Sequence, residues 1–254
     1  MIDLKRLTDV VGAVLGLAIV APILALAAVA IRLASPGPVI YRARRAGVGG
    51  RPFTMYKLRT MQARPGRFGG PITRVDDPRV FPLGRLLRST KIDELPQLVN
   101  ILRGEMSLIG PRPEDPELVA RYYAPLHRET LTVRPGLTSP GSLYHDTHGD
   151  QVLAAGDPEA RYVEWLLPVK LALDLAYVRR ASLTYDLALV WRTLVTIAGR
   201  LTGRRAYPDP PEMRDALALV VPARAAPRPT PEASAPEVTP RAVAPRAVAA
   251  EGAR

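Results

Sequence analysis

Two adjacent acids, Asp93 and Glu94, follow Arg88 and Lys91 in the stretch LRSTKIDELPQLVNILRGEMSLIGPRP, residues 87–113. Two further blocks, YKLRTM at Tyr56–Met61 and VRPGLT at Val133–Thr138, also set Arg or Lys among turn-forming residues. A carboxylate beside phosphate-binding cations can attack phosphorus to form an acyl phosphate. It can also hold Mg²⁺, which takes one or two protein carboxylates together with phosphate oxygens and water. Each acid makes its neighbour harder to ionise, and Arg88 and Lys91 oppose that. A plainer role competes: acids in a helix's first turn cap its open N–H groups and favour its dipole, and Pro96 is tolerated there. On residue type alone capping is the commoner use.

The elements that must position these blocks are partly legible. Val39–Tyr41 and Phe53–Tyr56 read as strands of a hairpin around Gly47-Val48-Gly49-Gly50. From Asp93, the spacing of Leu95, Leu98, Val99 and Leu102 predicts an amphipathic helix stopped at Gly104. Asp115-Pro116 and Asp157-Pro158 read as an N-cap followed by a first-turn proline, opening two more helices. Residues 64–82, rich in Gly, Pro, Arg and Asp, read as a loop, and 139–151, with His145, Asp146, His148 and Asp150, as a solvated polar loop rather than a metal site. Tyr122, Tyr123, Tyr162 and Trp165 suit interfacial anchors or core better than nucleobase platforms.

An uncharged run, VVGAVLGLAIVAPILALAAVAI at residues 10–31, is about long enough for a helix to cross a bilayer. A secretory signal fits less well, because the run is long for one and lacks a convincing cleavage site. Basic residues flank both ends, Lys5 and Arg6 before and Arg32, Arg42, Arg44 and Arg45 after, so both ends favour the cytoplasmic side. Pro22 near the centre favours a bend, although kinked spanning helices are also common, so sequence physics leaves a spanning and a re-entrant helix open. Leu183–Leu201 carries Arg192 and Arg200 and reads as an interfacial helix. Arg204-Arg205 reads as a basic patch beside the membrane.

The formal net charge is +11, while residues 206–254 hold six acids and six arginines, so the whole excess lies in 1–205. That basic surface suits anionic lipid, diphosphates or nucleic acid. No nucleic-acid recognition element accompanies it, and no sequence-specific nucleic-acid binding is expected. There is no cysteine, which excludes disulfides and thiolate metal sites. The Ala/Pro/Arg-rich composition predicts a disordered tail over 206–254, after a membrane helix at 1–38 and a catalytic region at 39–205.

In these residues the chain resembles the bacterial sugar transferases that initiate glycan assembly on polyprenyl phosphate, the small monotopic phosphoglycosyl transferases. The resemblance runs from Lys5-Arg6 through SPGPVIYRARRAGVGGRPFTMYKLRTM, the 87–113 block and RPGLT to LDLAYVRRASLTYDLALVWRTL, roughly residues 3–197. It implies an α+β, mainly helical monotopic membrane protein with a re-entrant helix broken at Pro22, interfacial amphipathic helices and a small β-hairpin. It implies transfer of a sugar-1-phosphate from a UDP-sugar to polyprenyl (undecaprenyl) phosphate, with release of UMP. Asp93 is then the nucleophile that carries a covalent phosphosugar and contacts Mg²⁺, and Glu94 completes the dyad and helps activate the acceptor. Lys57, Arg59, Arg88, Arg112 and Arg134 become candidates for phosphate or substrate binding. The implied location is the cytoplasmic face of the bacterial inner membrane. The partners are membrane lipid and, for protein, a second copy or other enzymes assembling exopolysaccharide, O-antigen, capsule or glycoprotein. A non-catalytic adaptor that keeps this fold is the alternative, disfavoured by the intact set Arg88, Asp93, Glu94 and Arg112. Two departures stand out: Ala21 where relatives often have Ser before the proline, and SPGSLYHDTHGDQ after RPGLT, a region that bears on sugar or nucleotide recognition.

Overall fold

The computed structural model describes residues 2–62, 77–154, 157–204 and 206–225, and in these the chain is mainly helical with two small sheets. The apolar run forms α1, Ile2–Ala34, a single helix of 33 residues and so about 50 Å long. It is long and apolar enough to cross a membrane by length and composition. The expected break at Pro22 is absent, because helical backbone continues through it. A proline removes one backbone hydrogen bond. Against that loss, one face of α1 stays packed on the body along its length. Ala13, Leu17 and Val20 lie against Leu98, Ile101 and Met106, and Leu24, Ala27 and Ile31 against Leu58, Phe81 and Leu87. Gly12 permits the closest approach: a Cβ there would meet Leu108 at 2.6 Å. The opposite face exposes Leu4, Leu7, Val11, Leu15, Ile19, Leu26 and Leu33.

Both ends of α1 are tied to the same body. Near the start, Lys5 pairs with Asp186 at 2.5 Å, Arg6 donates to the carbonyls of Ile101 and Leu102, and Asp9 accepts from Ser107 Oγ and Leu108 N–H. At the other end Arg59 donates to Ser35 Oγ, to the Ser35 carbonyl and to the Pro38 carbonyl.

The hairpin is β1, Ile40–Ala46, and β2, Pro52–Leu58, antiparallel with Ala43 opposite Met55. Then follow α2, Pro82–Ser89, and α3, Gln97–Leu102, which ends at the left-handed Gly104. A parallel pair joins β3, Ser107–Ile109, to β4, Gly136–Thr138. Just past β3, Gly110 lies so close to Gly136 that a Cβ on either would sit within 2.4 Å of the other's neighbourhood. Only glycine lets the GPRP and RPGLT segments run side by side. Between them lies α4, Pro116–Tyr122, capped by Asp115 as expected.

Residues 139–151 are not a solvated loop. They belong to α5, Pro140–Leu153, capped by Ser139 and buried at Pro140–Leu143, Gly149 and Leu153. Next come α6, Pro158–Arg161, capped by Asp157, and α7, Leu167–Arg180, whose residues from Lys170 to Tyr177 are all buried. Tyr123 and Tyr162 are core, while Trp165 is half exposed. Helix α8, Leu183–Leu201, exposes Leu187, Trp191, Leu194 and Val195 along one stripe. The tail expected from 206 contains a further helix, α9, Met213–Ala225, with Ala216 buried against Ala172 and Leu173. A short apolar stretch docked on α7 overrides the disorder-like composition around it. Most of the loop expected at 64–82, namely 64–76, and everything beyond 225, lie outside the described residues.

Candidate active site

Asp93 and Glu94 lie in a 3-10 turn, Ile92–Glu94, entered through Lys91 in the left-handed conformation at φ 61°. Lys91 is the one non-glycine residue with positive φ among the described residues, a conformation that costs free energy and clusters at functional sites. Helix α3 starts only at Gln97, and its N-cap is Pro96 without a side-chain cap. The acids are therefore not spent on capping. Both are buried, at 6% and 7% exposure.

Each cation around them arrives on a different element. Lys57 from β2 pairs with Glu94 Oε1 at 2.8 Å, and Arg112 donates to the same oxygen at 3.0 Å. Lys91 Nζ is 4.0 Å from that oxygen and donates to Asp146 Oδ1 on α5 at 2.6 Å. Arg88 donates from Nε to Thr60 Oγ1 and acts electrostatically on Asp93. The strand carrying Lys57 is locked to α3 by Asn100, which accepts from Tyr56 N–H and donates to the Thr54 carbonyl.

The loop carrying Arg112 is held from α7. Asp174 accepts from the Arg112 N–H at 3.1 Å and from the Gly141 N–H at 2.9 Å. One turn earlier on the same helix face, Lys170 donates to Glu114 and to Tyr162, and Tyr162 donates to Glu114. Asp174, Lys170 and Glu114 were not singled out from sequence. The helix spacing of Lys170 and Asp174, together with Glu114 directly after GPRP, was the available signal.

The two acids of the dyad differ in electrostatic state. Burial, with the charge of Glu94 added, pushes Asp93 up to about 6 against the pull of Lys57, Lys91 and Arg88. Burial alone would also raise Glu94, but Lys57, Lys91 and Arg112 outweigh it and hold that carboxyl well below the usual range. Asp93 Oδ1 is buried with no hydrogen-bond partner. A buried, unsatisfied carboxylate oxygen is costly and calls for an explanation.

Four of the sequence-predicted residues, Asp93, Glu94, Lys57 and Arg112, come together here with Arg88 close by. Arg59 does not join them. It is buried, and Nε, Nη1 and Nη2 are all engaged on Ser35, Pro38 and Met61, so it staples the end of α1 instead of reaching for phosphate. Arg134 donates to the Gly104 carbonyl beyond α3. Asp146 and Arg200 join the site unforeseen, with Arg200 donating to the Asp146 carbonyl.

A model of the family described as "Bacterial sugar transferase" matches residues 2–200. The chain is 40% identical over 214 residues to a UDP-glucose:undecaprenyl-phosphate glucose-1-phosphate transferase of Caulobacter vibrioides, covering 80% of this chain and 72% of the relative. It is 35% identical to a UDP-N-acetylgalactosamine-undecaprenyl-phosphate N-acetylgalactosaminephosphotransferase of Aeromonas hydrophila, covering 79% of this chain but only 44% of that relative. It is 32% identical to an exopolysaccharide production protein of Rhizobium leguminosarum bv. phaseoli, covering 76% of this chain and 94% of that relative. With the match extending over α1, the hairpin, the dyad turn and α8, the chain belongs to the bacterial sugar transferase family.

Proposed function

We propose that this protein transfers a sugar-1-phosphate from a UDP-sugar to undecaprenyl phosphate through a covalent phosphosugar on Asp93. One observation carries the reading: a buried carboxylate with an unpartnered oxygen stands in a ring of cations, beside a second carboxylate that is fully ion-paired. The unpartnered Oδ1 of Asp93 is the free nucleophile. It attacks the β-phosphorus, the bond from that phosphorus to the bridging oxygen breaks, and UMP leaves. An oxygen of the acceptor phosphate then attacks the same phosphorus, and the bond to Asp93 breaks to regenerate the carboxylate.

Arg112, Arg88 and Lys57 bind and orient the diphosphate, Arg by paired N–H donors and Lys as a point charge. Glu94, held ionised by its cations, is a weak base, so its work is to fix Lys57 and Arg112 in place. The donor set fits Mg²⁺: the Asp93 carboxylate, which keeps Oδ1 unsatisfied for attack, would give the ion a ligand through its second oxygen next to a diphosphate site, with substrate oxygens and water supplying the rest. No group of three or more metal-ligating side chains occurs among the described residues, which suits an ion held largely by substrate. When bound, the ion would neutralise diphosphate charge.

The proposed enzyme sits on the cytoplasmic face of the inner membrane, with α1 lying along the body and turning its outward apolar face to lipid. The support is that both ends of α1 are bonded to one body while its other face is apolar and exposed. The test is mass spectrometry of protein treated with UDP-sugar and Mg²⁺. A sugar-phosphate adduct on the peptide containing Asp93, absent in Asp93→Asn, is expected. No adduct, with turnover intact in that variant, would overturn the mechanism.

A further inference from the structure

Beside the dyad lies a cavity of about 180 Å³ whose walls divide sharply by chemistry. Three cations and two acids, Lys91, Arg112, Arg200, Glu94 and Asp146, cluster in the lining and are joined by ion pairs. The remaining wall is mostly apolar: Leu95, Leu108 and Leu137 from the body, Val190, Leu194 and Ile197 from α8. Its hydroxyls are largely spent on the protein itself. Thr138 and Thr193 bond each other at 2.9 Å, Thr193 also donates to the Leu189 carbonyl, and Ser142 is bonded to Ser139. A sugar or a uracil ring entering here would lose hydrogen bonds to water that this wall does not return. The occupant that fits carries an anionic head on a hydrocarbon body.

The position of α8 identifies the route in. Its inner side forms this wall, and its outer side exposes Leu187, Trp191 and Leu194, the stripe of a helix lying in a membrane interface. Leu194 belongs to both the cavity lining and the exposed stripe, so the apolar wall is continuous with the surface that faces lipid.

We infer that this cavity is the acceptor site, holding the first isoprene units of the polyprenyl phosphate between α8 and β4. The phosphate is then directed at Lys91 and Arg112. Asp146, bonded to Lys91 and flanked by Arg200, fixes the lysine at the phosphate end. The inference rests on the transfer reaction proposed above and adds where its lipid substrate lies.

The two half-reactions separate the claims. Ile197→Trp fills the cavity, and overfilling a packed apolar space is strongly unfavourable. Without acceptor, this variant should release the same single burst of UMP from the UDP-sugar as unsubstituted protein. With undecaprenyl phosphate, its apparent KM for acceptor should rise about tenfold or more. Val190→Ala, which enlarges the cavity, should also weaken acceptor use while sparing the burst. An unchanged acceptor KM in both variants overturns the inference, and so does an equal loss of burst and transfer.

A binding readout needs no turnover. In Asp93→Asn protein, a diazirine-bearing geranyl phosphate should label the α8 segment spanning Val190 and Ile197, and undecaprenyl phosphate should compete. Labelling confined to other segments overturns the site. Labelling of α8 without any UMP burst from unsubstituted protein leaves the site standing and removes the proposed reaction.

Discussion

Two carboxylates linked through Arg112, Glu114 two residues after it and Asp93 next to its ion-pair partner Glu94, serve opposite ends. For Glu114, burial would raise the carboxyl, but Lys170 and the Tyr162 hydroxyl bring it down to about 2. Asp93 keeps an oxygen unbonded and is pushed up to about 6. The first is a satisfied network that fixes a loop, and the second is a group kept reactive at the expense of stability. Their contributions to stability have opposite signs. The depressed value of Glu114 gives stability that is present above its ordinary value of 4.5 and is lost as pH falls through about 2. The raised value of Asp93 makes folding most favourable below 3.8, an advantage lost as pH rises through about 6.

The sharpest way to break this contrast is Asp93→Asn. Transfer should fall by three orders of magnitude or more, roughly the scale seen when a nucleophile is removed. The same variant should melt higher at pH 7 to 8, because the charge it removes costs on the order of 3 kcal/mol, from 3.8 to about 6 in the folded state. That gain should vanish as the buffer approaches pH 4, a sign opposite to simple loss of a contact. Melting curves of the two proteins across that range test it, and a destabilised variant at pH 8 would refute the picture of a strained acid.

Lys170→Met should give the converse result. It leaves Glu114 buried without its cation, a loss of about 3–5 kcal/mol, so the melting temperature should fall by roughly 10 °C while protein that remains folded keeps its UMP burst. Next in size is the pH dependence of adduct formation. Single-turnover rates should decline about tenfold per unit below pH 6 as Asp93 takes up its proton. A flat profile down to pH 4.5 would assign the chemistry to a different group. Smallest is Arg59→Lys, which should cost about 1–2 kcal/mol of stability by losing bonds at the end of α1. Donor KM should stay within twofold, and a large rise would return this arginine to the phosphate site.

How much the chain disclosed in advance depended on whether a residue's task showed in its spacing. The hairpin, the Asp115 and Asp157 caps and the stop at Gly104 rest on local rules, and the backbone follows them. Helix α5 was hidden because its polar residues face other parts of the protein: Asp146 meets Lys91, and His148 stacks on Tyr144. Polar groups turned inward erase the amphipathic pattern that announces a helix. Helix α7 is hidden for the reverse reason, since burial on all sides leaves no periodicity. Lys57 and Arg59 share one face by strand alternation, yet β2 ends at Leu58 and Arg59 turns to the end of α1. Asp93 and Glu94 resemble caps because the helix they seem to open begins three residues later.

Because α1 is seated lengthwise on the body, this long apolar helix is not a detachable handle. Its inward residues Ala13, Ala27 and Ile31 complete two of the hydrophobic clusters that hold the hairpin, α2 and α3. Cutting the chain after Ser35 would bare Leu98, Ile101, Phe81 and Leu87 to water and release the bonds of Arg59. A shortened protein of that kind should precipitate rather than dissolve, and a water-soluble version calls for repainting the outward stripe of α1 with polar side chains while leaving its inward face untouched.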